Sequence, residues 1–372
     1  MSIHPVLSPI TIGGLSLPNR AAVAPMSRVS TAGDGLATDE MASYYAEFAA
    51  GGFGLIITEG TYTDHAHSQA YPDQPAIVTA RQIEGWRAVT TAVHAAGSRI
   101  VLQLMHAGAL IQGGQHRLGS IGPSPVAPKG AKMAAYGGGA GPFTMPVAAT
   151  LADIAEIVAG FAAAAGNARA AGFDGVEVHG ANGYLIDQFL TIYTNQRDDE
   201  YGGSAANRAR LAAEVLSAIR DAVGPGFPVG IRLSQTKVND LGYRWPGGAA
   251  EADTVFRAVA QAGADYIHLA SEGRDWLDTA TLDTGVTITQ LARDVTGLPV
   301  IANGGMHEPA RAAALLGGGH ADLVAIGRGA LANPDWPQRV AQGRDLDKFD
   351  SAAVHLDVTL SARRRVGQPT AC

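Results

Sequence analysis

The stretch Gly172-Phe173-Asp174-Gly175-Val176-Glu177-Val178-His179-Gly180-Ala181-Asn182-Gly183-Tyr184 is the part of this chain from which its architecture can be read. A turn at Gly172 to Gly175 leads into a short apolar run, Val176 to Val178, of the kind that forms a buried strand. A histidine ends the run, an amide follows three residues on, and a phenol five on. If the chain bends helically after the strand, positions three apart lie on one side. His179 and Asn182 would then offer two hydrogen-bond donors to one acceptor atom, with the transferable proton of Tyr184 nearby.

The same strand-then-helix pattern recurs on both sides. Short apolar runs fall at Ala21–Ala24, Gly54–Thr58, Ile100–Leu104, Val176–Val178, Val229–Leu233, Tyr266–Leu269, Val300–Ala302 and Leu323–Ile326. Segments of helical period fall between them, at Thr38–Ala50, Ile83–Ala96, Leu151–Ala171, Asn207–Val223, Ala249–Ala262, Thr287–Thr296 and Pro309–Leu316. Several end in glycine just before the next strand, as at Gly97, Gly172 and Gly263, which is a helix stop signal. Eight strands with intervening helices predict an α/β fold, a single closed (β/α)₈ TIM barrel. The prediction is one domain over residues 1–372, with the barrel at about 20–335 and a C-terminal tail after it. Ile10-Thr11-Ile12 and Leu15-Ser16-Leu17 flank Gly13-Gly14 and predict an N-terminal β-hairpin. An open doubly wound sheet is the alternative, but no G-x-G-x-x-G or P-loop motif occurs. The long Gly-, Pro- and Ala-rich insertion after strand three, residues 105–149, predicts a lid or binding wall.

Composition narrows the function classes. With 47% hydrophobic and 16% charged residues, the chain supports a large core and is not of the disordered class. A net charge of −7 and a pI near 5.9 argue against nucleic acid or an anionic membrane as partner. No run looks long enough for a membrane span, and the N-terminus lacks a secretion signal, so a cytoplasmic enzyme is expected. The sole cysteine, Cys372, excludes a disulfide framework or a Cys-ligated cluster within this sequence. His65 and His67 alternate like strand neighbours, and His106 and His116 fall in loops; no third ligand is spaced to join them, so no metal site is expected. The basic segment Ser361-Ala362-Arg363-Arg364-Arg365 reads as a solvated tail, or else as part of a subunit contact, and the protein is expected as a monomer or a homodimer.

In barrels the chemistry sits where strands end and βα loops begin. Gly304-Gly305 after strand seven and Gly327 after strand eight would let backbone N–H groups approach an anion, and Arg328 adds a forked cation. A phosphate site is the reading preferred over two tight turns. Arg232 at the end of strand five must face an anion or a strong acceptor, since an unpaired buried charge is costly. Gln103 can bond an imide-like edge, and Ser27 can donate to a carbonyl. A phosphate, an imide edge and a cation together describe flavin mononucleotide (FMN), the cation facing the end of the ring that gains charge on reduction.

These residues lie in motifs that resemble the Old Yellow Enzyme family of FMN-dependent ene-reductases. The resemblance runs from the hairpin to about Pro334. It is carried by Ala24-Pro25-Met26-Ser27, Thr58-Glu59-Gly60, Gln103-Leu104-Met105-His106-Ala107-Gly108, His179 to Leu185, Asn195 to Ser204, Ala302-Asn303-Gly304-Gly305 and Ile326-Gly327-Arg328. It implies that Ala24, Pro25, Met26, Ser27, Gly60, Gln103 and Arg232 form the flavin-ring pocket, and that Asn303, Gly304, Gly305, Gly327 and Arg328 hold the phosphate end. It implies that His179 and Asn182 grip the carbonyl oxygen of an activated small-molecule alkene, that Tyr184 donates the proton, and that Met105 borders the substrate. NAD(P)H is the implied reductant and shares the substrate pocket. Ser27 stands where relatives carry threonine or cysteine, and Met105 where some carry tryptophan. The iron–sulfur cluster and second nucleotide domain of larger relatives are not expected here.

The expected activity is reduction of the C=C bond of α,β-unsaturated carbonyl compounds. A second enzymatic reading is oxidative N-dealkylation or desaturation on the same flavin barrel, and a third is a Schiff-base barrel using Lys237, just past strand five. A non-catalytic FMN-binding protein is a reading of a different class. His268 reads as a buried, hydrogen-bonded barrel residue. Tyr201-Gly202-Gly203-Ser204 reads as the ordered entry to the next helix.

Overall fold

Each predicted apolar run forms a parallel strand, because both faces of a barrel strand are covered and polar alternation is not required. The computed structural model describes residues 4–114, 119–271, 276–350 and 358–361. His116, Arg363 to Arg365 and Cys372 lie outside the described residues. We label the barrel strands β1 (Ala21–Val23), β2 (Leu55–Ile57), β3 (Arg99–Met105), β4 (Gly175–Asn182), β5 (Val229–Lys237), β6 (Tyr266–Ala270), β7 (Val300–Asn303) and β8 (Leu323–Ile326). They pair in ring order, β1 with β2, β2 with β3 and so on to β8 with β1, which closes the sheet as a (β/α)₈ barrel. Register sets Glu177 beside Gln103, and His179 beside Arg232, which lies beside His268.

The helices are α1 (Asp39–Ala50), α2 (Ala80–Ala95), α3 (Leu151–Ala170), α4 (Leu185–Leu190), α5 (Ala205–Val223), α6 (Gly248–Gln261), α7 (Trp276–Ala280), α8 (Ile288–Thr296), α9 (Pro309–Gly317), α10 (Arg328–Ala332) and α11 (Trp336–Gln342). Side-chain caps fix where α1, α2, α3, α5 and α8 begin. Thr38, Thr79, Thr150, Ser204 and Thr287 each accept a hydrogen bond from the third helical N–H, satisfying a donor the helix leaves open. Thr79 and Gln82 form a reciprocal capping box, so α2 starts at Ala80 rather than at Ile83. Ser204 caps α5, in keeping with the ordering role read for Tyr201 to Ser204.

The expectation that no segment is long enough to span a membrane is corrected: α3, at 20 residues, has the length and hydropathy. Its many alanines, with Ile154, Ile157, Val158 and Phe161, raise its hydropathy, and its face Ile154, Ile157, Phe161, Ala164, Ala165 and Ala168 is buried in the shell between helices and barrel.

Inside the barrel the lower layers are apolar: Ala22, Leu55, Val101, Ile301 and Leu323 pack together. Ile12, Leu15 and Leu17 of the hairpin (Ile10–Ile12 with Leu15–Leu17) join this cluster and plug that end. Side chains alternate along a strand, so the inward positions further along carry the polar groups, and these gather at the C-terminal ends. The insertion after β3 carries short pairings, Ile121–Gly122 with Val147–Ala148 and Ala131–Lys132 with Gly141–Pro142.

Candidate active site

Glu177 and His179 face the barrel interior two residues apart on β4. Glu177 is fully buried and organises the layer below the mouth. Its Oε1 accepts from Gln103 Nε2 at 2.8 Å, and its Oε2 accepts from the Tyr266 hydroxyl at 3.3 Å and lies 2.9 Å from His268 Nδ1. Burial pushes the Glu177 carboxyl up, but His268, Arg232 and Gln103 more than offset this and hold it below its ordinary value. The inward path is narrow: a side chain at Gly230 would meet the Tyr266 ring at 2.0 Å. His268 is the buried, bonded barrel residue expected from the sequence.

His179 lies one layer higher. Burial pushes its imidazole well below the usual range, and Arg232 and His268 push the same way, so the ring is neutral near pH 7. The Ala181 N–H donates to His179 Nδ1 at 3.3 Å. Nδ1 is therefore the acceptor and Nε2 carries the proton, which makes Nε2 a donor.

Beyond His179 the chain does not turn helical. β4 runs on to Asn182 with a register shift between Gly180 and Asn182, and Asn182 takes a left-handed φ of +64°. In a regular strand positions three apart face opposite sides. The irregularity and the left-handed residue, not a helix, change the direction of the chain here, and asparagine tolerates that conformation. Its N–H donates to Ser234 Oγ at 2.8 Å. Tyr184 then caps α4, and its ring meets His179 edge-on at 4.9 Å.

Two tyrosine hydroxyls meet at this point, Tyr71 and Tyr184, with oxygens 2.5 Å apart. Tyr71 in turn stacks on Tyr136 of the insertion at 4.6 Å. Sequence reading missed Tyr71, because no local pattern marks a loop residue that reaches the mouth across 113 positions. It also passed over Glu177 as an inward residue, which strict alternation from His179 would have found.

The strand-one and strand-two ends come together. Pro25, Met26 and Ser27 are half-buried after β1, while Ala24 and Gly60 are buried. A side chain at Gly60 would meet Met105 Sδ at 2.3 Å, so any larger residue there would have to displace the Met105 side chain. Glu59 Oε2 accepts from the Arg28 and Val29 N–H groups at 2.8 and 2.9 Å, which anchors the loop carrying Ser27. Val29 takes a φ of +39°, rare for a β-branched residue, and the anchor holds it there.

Arg232 Nη2 donates to Asn303 Oδ1 at 3.1 Å, so the cation on β5 is tied to the end of β7. Gly304 and Gly305 have φ of +133° and +65°. A side-chain carbon at Gly304 would lie 2.8 Å from Ser271 Cβ, and one at Gly305 would lie 2.5 Å from Arg311 Nη1. Ser271 Oγ is buried with no hydrogen-bond partner among the described residues. Arg328 is exposed at the start of α10. Open glycine backbone at Gly304 and Gly305, the buried Ser271 hydroxyl and the Arg311 guanidinium beside Gly305 make a donor set suited to a phosphate-bearing group.

Two further expectations are corrected. His65 and His67 lie in bends, not on a strand, because Asp64 Oδ1 accepts from the Ala66 and His67 N–H groups and forms a local turn. Lys237 is the last residue of β5 rather than beyond it, and it is not a free amine: Nζ lies 2.5 Å from Asp187 Oδ1, with both side chains buried. Burial pushes the Lys237 ammonium down and Asp187 opposes this. A lysine locked in an ion pair is unsuited to Schiff-base chemistry.

Residues 5–347 match the NADH:flavin oxidoreductase / NADH oxidase family. The NADH oxidase of Thermoanaerobacter brockii is 32% identical over 90% of this chain, which spans 50% of that relative's length. The solved structure of morphinone reductase in complex with tetrahydroNAD is 35% identical over 93% of each chain, with a TM-score of 0.82. The structure of an old yellow enzyme homologue from Zymomonas mobilis is 29% identical over 95% of this chain and 96% of its own, with a TM-score of 0.84. The chain thus belongs to the NADH:flavin oxidoreductase / NADH oxidase family, as an FMN-dependent oxidoreductase of the Old Yellow Enzyme type with NAD(P)H as its reductant.

Proposed function

We propose that this protein is an ene-reductase that reduces the C=C bond of α,β-unsaturated carbonyl compounds. The observation that carries the reading is the neutral His179, with Nε2–H free to donate, set edge-on 4.9 Å from the Tyr184 ring at the C-terminal end of the barrel. FMN would be held by Ala24, Pro25, Met26, Ser27, Gly60, Gln103 and Arg232 around its ring, and by Asn303, Gly304, Gly305, Gly327 and Arg328 at its phosphate end. Bound there, it would supply the redox chemistry, hydride transfer from NAD(P)H to the β-carbon of the alkene.

The protein's own part is electrostatic and acid–base. Nε2–H of His179 and the Asn182 amide donate to the substrate carbonyl oxygen and stabilise the negative charge that gathers there. A pre-oriented neutral imidazole suits this task, since it donates one hydrogen bond without the desolvation cost of an imidazolium. Tyr184 gives its proton to the α-carbon, and Tyr71 holds the Tyr184 hydroxyl in place. Met105, buried at the end of β3, borders the substrate side.

The test is an anaerobic one. The purified protein is reduced with NAD(P)H and mixed with a panel of cyclic enones, and the oxidised flavin band is followed. Rapid enone-dependent recovery of the band is expected. No recovery with any enone, together with flavin reduction by a methylated amine, would reverse the reading in favour of oxidative dealkylation.

A further inference from the structure

The turn that carries Asn182 and Tyr184 rests on charged groups below it. Asn182 and Gly183 are consecutive left-handed residues, with φ of +64° and +88°. This geometry turns the Gly183 N–H into the protein, where a buried donor must find an acceptor. It finds Asp187 Oδ2 at 2.6 Å, while Asp187 Oδ1 lies 2.5 Å from Lys237 Nζ. Asp187 is 0% and Lys237 1% exposed, so each charge depends on the other. Lys237 pairs with Asn182 across the β4–β5 ladder, the Val238 N–H donates to the Asn182 carbonyl at 3.1 Å, and Lys237 Nζ lies over the Tyr243 ring at 4.7 Å. The turn has little room to relax: a side-chain carbon at Gly183 would lie 2.6 Å from Asn239 Oδ1.

We propose that Asp187 and Lys237 are positioning residues for the substrate grip, Asp187 fixing the Gly183 N–H and Lys237 fixing the Asp187 carboxylate, so that Asn182 and Tyr184 keep their places relative to His179. The inference rests on the ene-reductase reading of those three residues. It assigns a task to a buried ion pair that neither flavin nor substrate is expected to touch.

The experiment uses the flavin-loaded protein and two charge-neutral double variants. Asp187→Asn with Lys237→Met keeps an acceptor for Gly183, whereas Asp187→Leu with Lys237→Met removes it. Each protein is photoreduced without NAD(P)H, then mixed with cyclohexenone or with oxygen. The leucine variant should reoxidise with cyclohexenone about 10- to 100-fold more slowly, as expected when an oxyanion donor is displaced. Its flavin content and its reoxidation by oxygen should match the parent, and the asparagine variant should stay within about threefold of the parent for the enone. Equal loss in both double variants, or equal loss with enone and oxygen, would overturn the proposal, as would parental enone rates in the leucine variant. If the leucine variant does not fold, Asp187→Ala in the Lys237→Met background takes its place under the same criteria. If the parent itself does not reoxidise with any enone, the ene-reductase reading is what fails. Binding of para-chlorophenol, read by the change in flavin absorbance, then tests the positioning alone: affinity weakened only in the variant without an acceptor sustains it, and equal affinity in all three proteins overturns it.

Discussion

Replacing Glu59 by glutamine should make the protein more stable at alkaline pH, although it removes a charge beside the flavin pocket. Glu59 is 1% exposed, and burial raises its carboxyl from 4.5 to about 7, against the lowering effect of the Arg28 and Val29 N–H groups. An acid with a raised folded value binds its proton more tightly when folded. Its contribution is therefore complete below about pH 4.5 and is lost as pH rises through about 7. The interval between the two values corresponds to about 3 kcal/mol. Glutamine is neutral at every pH, and its Oε1 can accept from the same two N–H groups, so the loop anchor persists. Glu59→Gln should match the parent below about pH 4.5 and exceed it by about 3 kcal/mol at pH 8–9. Urea midpoints read by tryptophan fluorescence across that range, with FMN saturating in every sample, measure the difference. Parallel pH–stability curves for the two proteins would refute the reasoning, because they would mean that Glu59 titrates alike in the folded and unfolded chains.

Other outcomes follow from the site. His179→Ala should slow enone-dependent reoxidation by about 10²-fold while FMN stays bound, and undiminished turnover would remove His179 from the mechanism. Tyr184→Phe should slow reoxidation by enone and leave reduction by NAD(P)H near the parent rate in stopped-flow traces; equal effects on both half-reactions would count against a proton-donor role. Tyr71→Phe breaks one buried hydroxyl pair, worth about 0.5–1.5 kcal/mol, so enone reoxidation should fall about 2- to 12-fold. A rate unchanged within error would mean that Tyr71 does not hold Tyr184.

The barrel was legible because its signals are local. Apolar runs such as Val229–Leu233, threonine or serine caps, and glycines after helices each act within a few residues, and all agree on one architecture. Part of the candidate site was legible for a related reason: Asn303 ends β7 and Gly327 follows β8, and a barrel gathers those ends at one mouth, whereas β4 and β5 run on past His179 and Arg232, which the sequence had put at the strand ends. Helix bounds slipped where a cap decided them, as at Thr79.

What the sequence alone determined was the succession of strands and helices and most of the candidate groups expected at the C-terminal mouth, though not Tyr71 or Glu177, since backbone propensity and side-chain chemistry are carried by neighbours along the chain. Only the tertiary structure decided how those groups are held. The left-handed Asn182, the Tyr71–Tyr184 contact, the Glu177–His268 layer and the Asp187–Lys237 pair join residues from 50 to 113 positions apart, or depend on such joins. Partners so distant in sequence leave no local trace, because a buried charge or a turned-in N–H is satisfied by whichever strand closure of the barrel brings beside it.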